Sequence, residues 1–347
     1  MAMLSMLLAT LACLPALGSI GTSGTARRTV AWGEPFPLKT TTVKVDDSQF
    51  FVRGRQVIPR KAKVVLLRRA NVTGSGAVGE DGSEEAAVIE VSGTLELKAV
   101  TGGRVVLRNT WIELTPECRS LYLANVRFIG GGGIRPCSKG PSKADVFMER
   151  VEFIEGASLD MECSAGTLTI TSTHCKGPAS LRGVSRSEKA ESKAIIRIVG
   201  CMGGAPGSWR GMMGGLTVSG AKSALVQFSH LEGGTSRFAD NGKLSFEGNN
   251  VRSKVVEFAY SKPGQFKKAK ISGCDFRSKV VAFEAPLAGG KIERLSVKDC
   301  WFSSGEDPEK ILGEQVLDSS RDETTSTAVS LRSIKERPIG LGGKAGG

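Results

Sequence analysis

The feature that most constrains this chain is a phrase that returns about every 25 residues. Leu244 to Phe258 reads LSFEGNNVRSKVVEF and Ala269 to Phe283 reads AKISGCDFRSKVVAF, with a Gly, then Arg-Ser-Lys-Val-Val and a closing Phe at matching positions. Leu295 to Ser304, LSVKDCWFSS, repeats the first half another 26 residues on. The same pattern, an apolar-x-apolar pair, a small or polar turn and a further apolar position, recurs upstream. Its closing positions fall at Phe128, Phe153, Cys175, Gly203, Ser223, Val251, Phe276 and Phe302, in steps of 25, 22, 28, 20, 28, 25 and 26. Apolar residues two apart over three to five positions are a strand signal, because helices repeat at three and four over longer runs. A single such strand cannot bury its apolar edge. Stacking each coil on its neighbour pairs the backbone and buries a continuous inner column.

Irregular coil lengths, loops at one corner and an inner column are also what the right-handed parallel β-helix proteins of the pectin-lyase-like superfamily look like, and the chain resembles them over residues 87–304. VIEVSGTLEL (Val88 to Leu97) and RVVLRNTWIEL (Arg104 to Leu114) read as opening coils. The expectation is an all-β chain, a single-stranded right-handed parallel β-helix of roughly eight to ten coils with an N-terminal cap. A sandwich is the alternative, but sandwiches do not repeat residue identities at constant offset. Gly, at 44 of 347 residues, supplies the many turns such a fold needs.

The two ends differ from this middle. Met3 to Leu17 is a short apolar stretch, followed by Gly24-Thr25-Ala26 and Arg27-Arg28, so residues 1–26 read as a secretory signal peptide lacking a basic residue before its core. Residues 305–347 read as a C-terminal cap and flexible tail. Residues 27–86 read as a basic capping segment. Between Arg27 and Arg69 there are eleven basic and three acidic residues, net +8 of the chain's +12. Covering the open end of the first coil is one use for this segment. Contact with an acidic polymer, anionic lipid or cell-wall component is the other.

Seven cysteines remain after Cys13. Cys201, Cys274 and Cys300 share a coil position and are expected to pack as small apolar thiols rather than bridge. Cys118, Cys137, Cys163 and Cys175 have no zinc-knuckle spacing. His174 and His230, the only histidines, give no material for a His metal site or a Ser-His-Asp triad. No metal site is expected, and no cofactor.

If apolar residues point inward, those between them point out. Seven residues past the closing positions stand Arg135, Asp160, Arg182 and Arg210, with Gln227 and Glu257 at comparable places in later coils. Stacked coils would align them as an outward ladder, its guanidiniums in excess of its carboxylates and suited to bidentate recognition of carboxylate or sulfate. The bland alternative is a self-neutralising charge ladder. By analogy with the resembled enzymes, whose substrates lie along an equivalent sheet, the ladder would bind an anionic polysaccharide. The chain has no Asn-x-Asp and no Gly-His-Gly, so the polygalacturonase-like motif set is not assembled. The reading is therefore a secreted or cell-envelope-associated protein that binds or organises anionic polysaccharide or another surface polymer without cleaving it. The alternative is a polysaccharide lyase on uronic-acid polymers, the one case in which calcium would enter. Aromatics at 6% with two Tyr, and no nucleic-acid module, exclude specific nucleic-acid recognition. No apolar run reaches the length of a membrane span.

Overall fold

The computed structural model describes residues 33–75, 77–78, 84–85, 87–100, 103–185, 191–201, 211–259, 268–285, 287–288, 291–292, 295–298, 300–302 and 328–333. The fold is all-β, with no helix among these residues. Three long sheets of seven, eleven and thirteen strands are parallel throughout, an arrangement consistent with a parallel β-helix. The chain visits them in a fixed order. Ser120–Ala124 lies in the eleven-stranded sheet, Val126–Ile129 in the seven-stranded sheet and Gly133–Pro136 in the thirteen-stranded sheet. Asp145–Glu149, Glu152–Ile154 and Ser158–Cys163 then repeat the circuit one strand further on.

The register follows most of the recurrence read from the sequence. Phe128 pairs with Phe153, Phe153 with Cys175, Val251 with Phe276, and Phe276 with Phe302. Leu244 pairs with Ala269 and Phe258 with Phe283, so the two near-identical phrases lie side by side. One step differs. The stretch expected to close at Ser223 (LTVSGAKS, from Leu216) is not a further copy, because Leu216–Ser219 belongs to the thirteen-stranded sheet and Ser223 begins a strand in the eleven-stranded sheet. The residue that pairs with Val251 is Leu231, which bridges in turn to Met212 and through it to Cys175. Gly203 lies outside the described residues.

The reason is a turn with unexpected chemistry. The corner that follows the eleven-stranded sheet takes one residue in the left-handed region in successive coils from Asn125 onward. Asn125, Arg150, Ser172, Gly200, Phe228, Gly248 and Gly273 fill it, with φ between 47° and 62°. Each of the first six donates its backbone N–H to the carbonyl before the next coil's corner, as Asn125 does to Glu149 and Phe228 to Glu247. A rule that looks for small or polar turn residues passes over Phe228. Two corners are stapled from inside. Asn249 accepts from Ser229 N and donates to Val226 O, and Asn241 does the same with Ala221 and Val218. These amides satisfy backbone groups that water cannot reach.

The inner column carries the apolar burial. Phe128 and Phe153 stack at 4.8 Å, and Phe238, Phe246, Phe258, Phe276 and Phe283 form a continuous aromatic cluster with centroids 4.9–6.4 Å apart. All seven are fully buried. The ladders also extend beyond the span of the resemblance. Thr41–Val43, Lys63–Leu66 and Thr94–Lys98 are consecutive in the eleven-stranded sheet, so strands of the basic segment continue the same stacking. At the other end, Ala328–Ser333 pairs along the whole of Val280–Ala285. The signal-like residues 1–26 lie outside the described residues.

None of the seven cysteines from Cys118 to Cys300 is in a disulfide, and all are buried. Burial pushes the thiols of Cys118 and Cys163 up to about 12 and that of Cys201 to about 11, and raises those of Cys137, Cys175 and Cys274. Burial among apolar neighbours makes these thiols packing groups.

Candidate functional site

Two outward faces carry charge, and they differ in what surrounds it. On the thirteen-stranded sheet, Glu90 pairs with Glu113, and Glu113 with Arg135. The next strand continues this row at Asp160, since Ile134 pairs with Leu159, and Asp160 pairs with Ser180. Thr217, Arg237 and Glu257 complete it. Arg135, Asp160 and Glu257 therefore share a row. Arg182 does not: it pairs with Glu162, one outward position along. The corner between Cys175 and Ser180 is two residues shorter than that between Phe153 and Asp160, which keeps Arg182 facing out but moves it sideways. Gln227 ends a strand of the eleven-stranded sheet, between Val199 and Glu247, and so leaves the ladder altogether. Arg210 lies outside the described residues.

The expected surplus of free guanidinium is overturned among the described residues of this face. Glu90 and Glu113 face outward yet are 1% and 3% exposed. Arg55 reaches Glu113 at 2.6 Å and Glu90 at 3.1 Å, Arg135 reaches Glu113 at 2.7 Å, and Lys139 pairs with the other oxygen of Glu90. Arg135 also lies over the Trp111 ring, 5.1 Å from its centroid. Burial alone would push the Glu113 carboxyl up, but the hydrogen bonds from Arg55 and Arg135 outweigh it and hold the group below its ordinary value. The same bond raises Arg55. Farther along, Arg182 bonds Asp160 at 3.0 Å and Glu162 at 3.2 Å, and Arg237 bonds Glu257 at 2.6 Å. Five cations thus meet five carboxylates.

Glu90, Glu113 and Cys137 bring ligand atoms within 4.8 Å of one another. The trio makes a poor cation site, because three basic groups already hold the two carboxylates and burial keeps the thiol protonated. Nor can a saccharide reach this carboxylate pair as the two facing acids of a hydrolase. Sequence reasoning missed the pair. Its signal was present as Glu in otherwise apolar strands, VIEV and WIEL, where an outward position is covered on both sides.

A second charged cluster lines a small cavity of about 80 Å³ with Arg104, Asn125, Arg150, Glu152, Ser172 and His174. Arg104 and Arg127 bond Glu152 at 2.5 and 2.7 Å. Burial opposes ionisation of Glu152, the two guanidiniums overcome it, and the carboxyl ends below its ordinary value.

The eleven-stranded sheet is different. Its outer face is concave over a groove of about 680 Å³. The central outward row runs Tyr122, Phe147, Thr169, Arg197, Leu225, Ser245 and Lys270 in register. From Thr169 onward these side chains line the groove, with Thr171, Ser223 and Lys243 beside them. Arg197, Lys243 and Lys270 are exposed, and no carboxylate among the described residues bonds Arg197 or Lys243. Lys270 alone has a partner, Glu247 at 3.1 Å, and Glu247 is held below its ordinary value first by the Ser245 hydroxyl and then by Lys270 and Gln227. Next to the groove, Tyr122 and Phe147 stack at 4.9 Å with Lys98 over the Tyr122 ring. The seven adjacent strands of this row, at about 4.8 Å spacing, span about 29 Å.

No family model, curated protein or solved structure matches the chain.

Proposed function

We propose that the groove on the eleven-stranded sheet holds an elongated anionic polymer, an acidic polysaccharide or cell-envelope polymer, and that the protein binds it without cleaving it. The observation that carries this reading is the pair of exposed, unneutralised cations, Arg197 and Lys243, in a concave track lined with hydroxyl and aliphatic side chains. A bound carboxylate or sulfate would meet Arg197 in fork geometry. Thr169, Thr171, Ser223 and Ser245 offer both donors and acceptors to sugar hydroxyls. The stacked Tyr122–Phe147 pair extends the track with a flat apolar surface. The finer description of the fold belongs to the same proposal: a right-handed β-helix like those of the pectin-lyase-like superfamily, working outside the cell. The ladder of the thirteen-stranded sheet then has a structural role, relieving repulsion between aligned charges.

Binding of polygalacturonate, alginate and hyaluronate, followed with and without calcium, tests the proposal. The expected result is affinity that falls as salt rises, with no new absorbance from unsaturated sugar ends. Appearance of that absorbance would replace the binding reading with the lyase. Binding insensitive to salt, or lost only on neutralising Arg182, would overturn the assignment to this groove.

A further inference from the structure

Phe228 breaks two rules at once. Its φ is 49°, in a region where a bulky side chain is an outlier, and the residue is 58% exposed. The neighbouring positions of the same corner are glycine: Gly200 before it, Gly248 and Gly273 after it. Asn125 and Ser172 show that small polar residues also serve this turn. The backbone therefore does not ask for an aromatic here, and the core does not receive it. Places where local rules fail without a structural return are where function concentrates.

The ring has a defined seat. A Cβ placed on Gly248 would meet two Phe228 ring carbons at 2.8 Å, so the ring lies against the Gly248 backbone, a position only glycine leaves open. On the other side, a Cβ on Gly200 would meet nothing within 4 Å. The ring thus stands beside an open notch. Gln227, the residue before Phe228, pairs with Val199, the residue before Gly200, and Val199 lines the groove. Ring and notch are therefore at the edge of the cationic track, one residue beyond its strands.

We infer that Phe228 is the sugar-stacking platform of this groove: the C–H face of a pyranose ring lies on the exposed aromatic ring, in the notch left by Gly200, while acidic substituents of the same chain reach Arg197. An aromatic face carries negative charge density that attracts the polarised C–H groups of a sugar, which a small linear anion lacks. Phe228 would accordingly select pyranose polymers over other polyanions such as polyphosphate or polyglutamate. This inference rests on the proposed polymer-binding function.

The test uses the full chain with Phe228→Asn, Phe228→Tyr and Arg197→Ala. Phe228→Asn supplies a residue that accepts this φ, so its melting temperature is expected within about 3 °C of the parent's. Its affinity for polygalacturonate is expected to fall about tenfold with the salt dependence retained, while Phe228→Tyr keeps it. Arg197→Ala should instead flatten the salt dependence. A steep loss of melting temperature in Phe228→Asn would make the ring a structural plug and overturn the inference. So would unchanged binding by that variant, which leaves the groove reading standing. Self-association that disappears in Phe228→Asn with polymer binding intact would assign the ring to a second copy of the chain and also overturn it. Binding of a neutral glucan but of no acidic polymer, abolished by Phe228→Asn, would keep the platform and remove the anionic reading. Failure of the parent to bind any polysaccharide would remove both.

Discussion

Arg135 and Arg197 are both outward arginines on stacked parallel strands, and they have opposite fates. Arg135 sits one strand from Glu113, itself one strand from Glu90, under the reach of Arg55 and Lys139. Its guanidinium is committed to Glu113 and to the Trp111 face. Arg197 sits between Thr169 and Leu225, neither of which can neutralise it, and it stays in water. The lesson is that charge on such a face is not a property of a residue. It depends on what the adjoining coils place at the same height, because stacking brings the next side chain within about 5 Å.

The largest effect is expected at the buried Glu113 cluster. Glu113→Ala leaves Arg55 and Arg135 facing each other without their shared carboxylate, and is expected to cost about 3–5 kcal/mol in urea denaturation. A loss under about 1 kcal/mol would mean that water already reaches the cluster. Acid should act on the same groups more gently. Glu113 and Glu152 are held below their ordinary value of 4.5 in the folded chain, so their stabilisation is complete above that value and lost as pH falls through the folded one. Melting temperature should decline from about pH 4.5 downward, and less steeply in Glu113→Gln. A decline equally steep in that variant would shift the acid sensitivity elsewhere.

Two smaller effects sharpen the contrast. Arg182 is about 40% exposed, so Arg182→Ala should cost less than about 1 kcal/mol and leave polymer affinity unchanged. Replacing Arg197 and Lys243 together by Ala should move stability by no more than about 0.5 kcal/mol while weakening polymer binding more than any change on the other sheet. The reverse pattern, with Arg182 governing affinity and the Arg197–Lys243 pair governing melting, would invert the assignment of the two faces.

Much of the fold was legible because the recurrence reflects burial. Inward positions must be apolar in every coil, so Phe128 with Phe153, and Phe258 with Phe283, could be paired from spacing alone. The reading slipped where a coil departed from the residue type a turn usually takes. Phe228 conceals the corner before Leu231, and the spacing points to Ser223 as the closing position instead. The slip carried Gln227 into a row it does not join. The two-residue shortening before Ser180 similarly displaced Arg182, since parity fixes which way a side chain points but not its place along the strand.

By itself the sequence determined that this chain is built of stacked parallel strands around an apolar column, and that Arg135, Asp160, Arg182 and Glu257 face out of it. That much follows from alternation and period, which are one-dimensional. Only the tertiary structure decided which outward charges meet, because two residues of slack at one corner change the partner across the strand gap while leaving every inside–outside assignment intact. Glu90, Glu113 and Arg55 became a sealed cluster, and Arg197 and Lys243 an open one, through heights along the strands that no spacing in the sequence records.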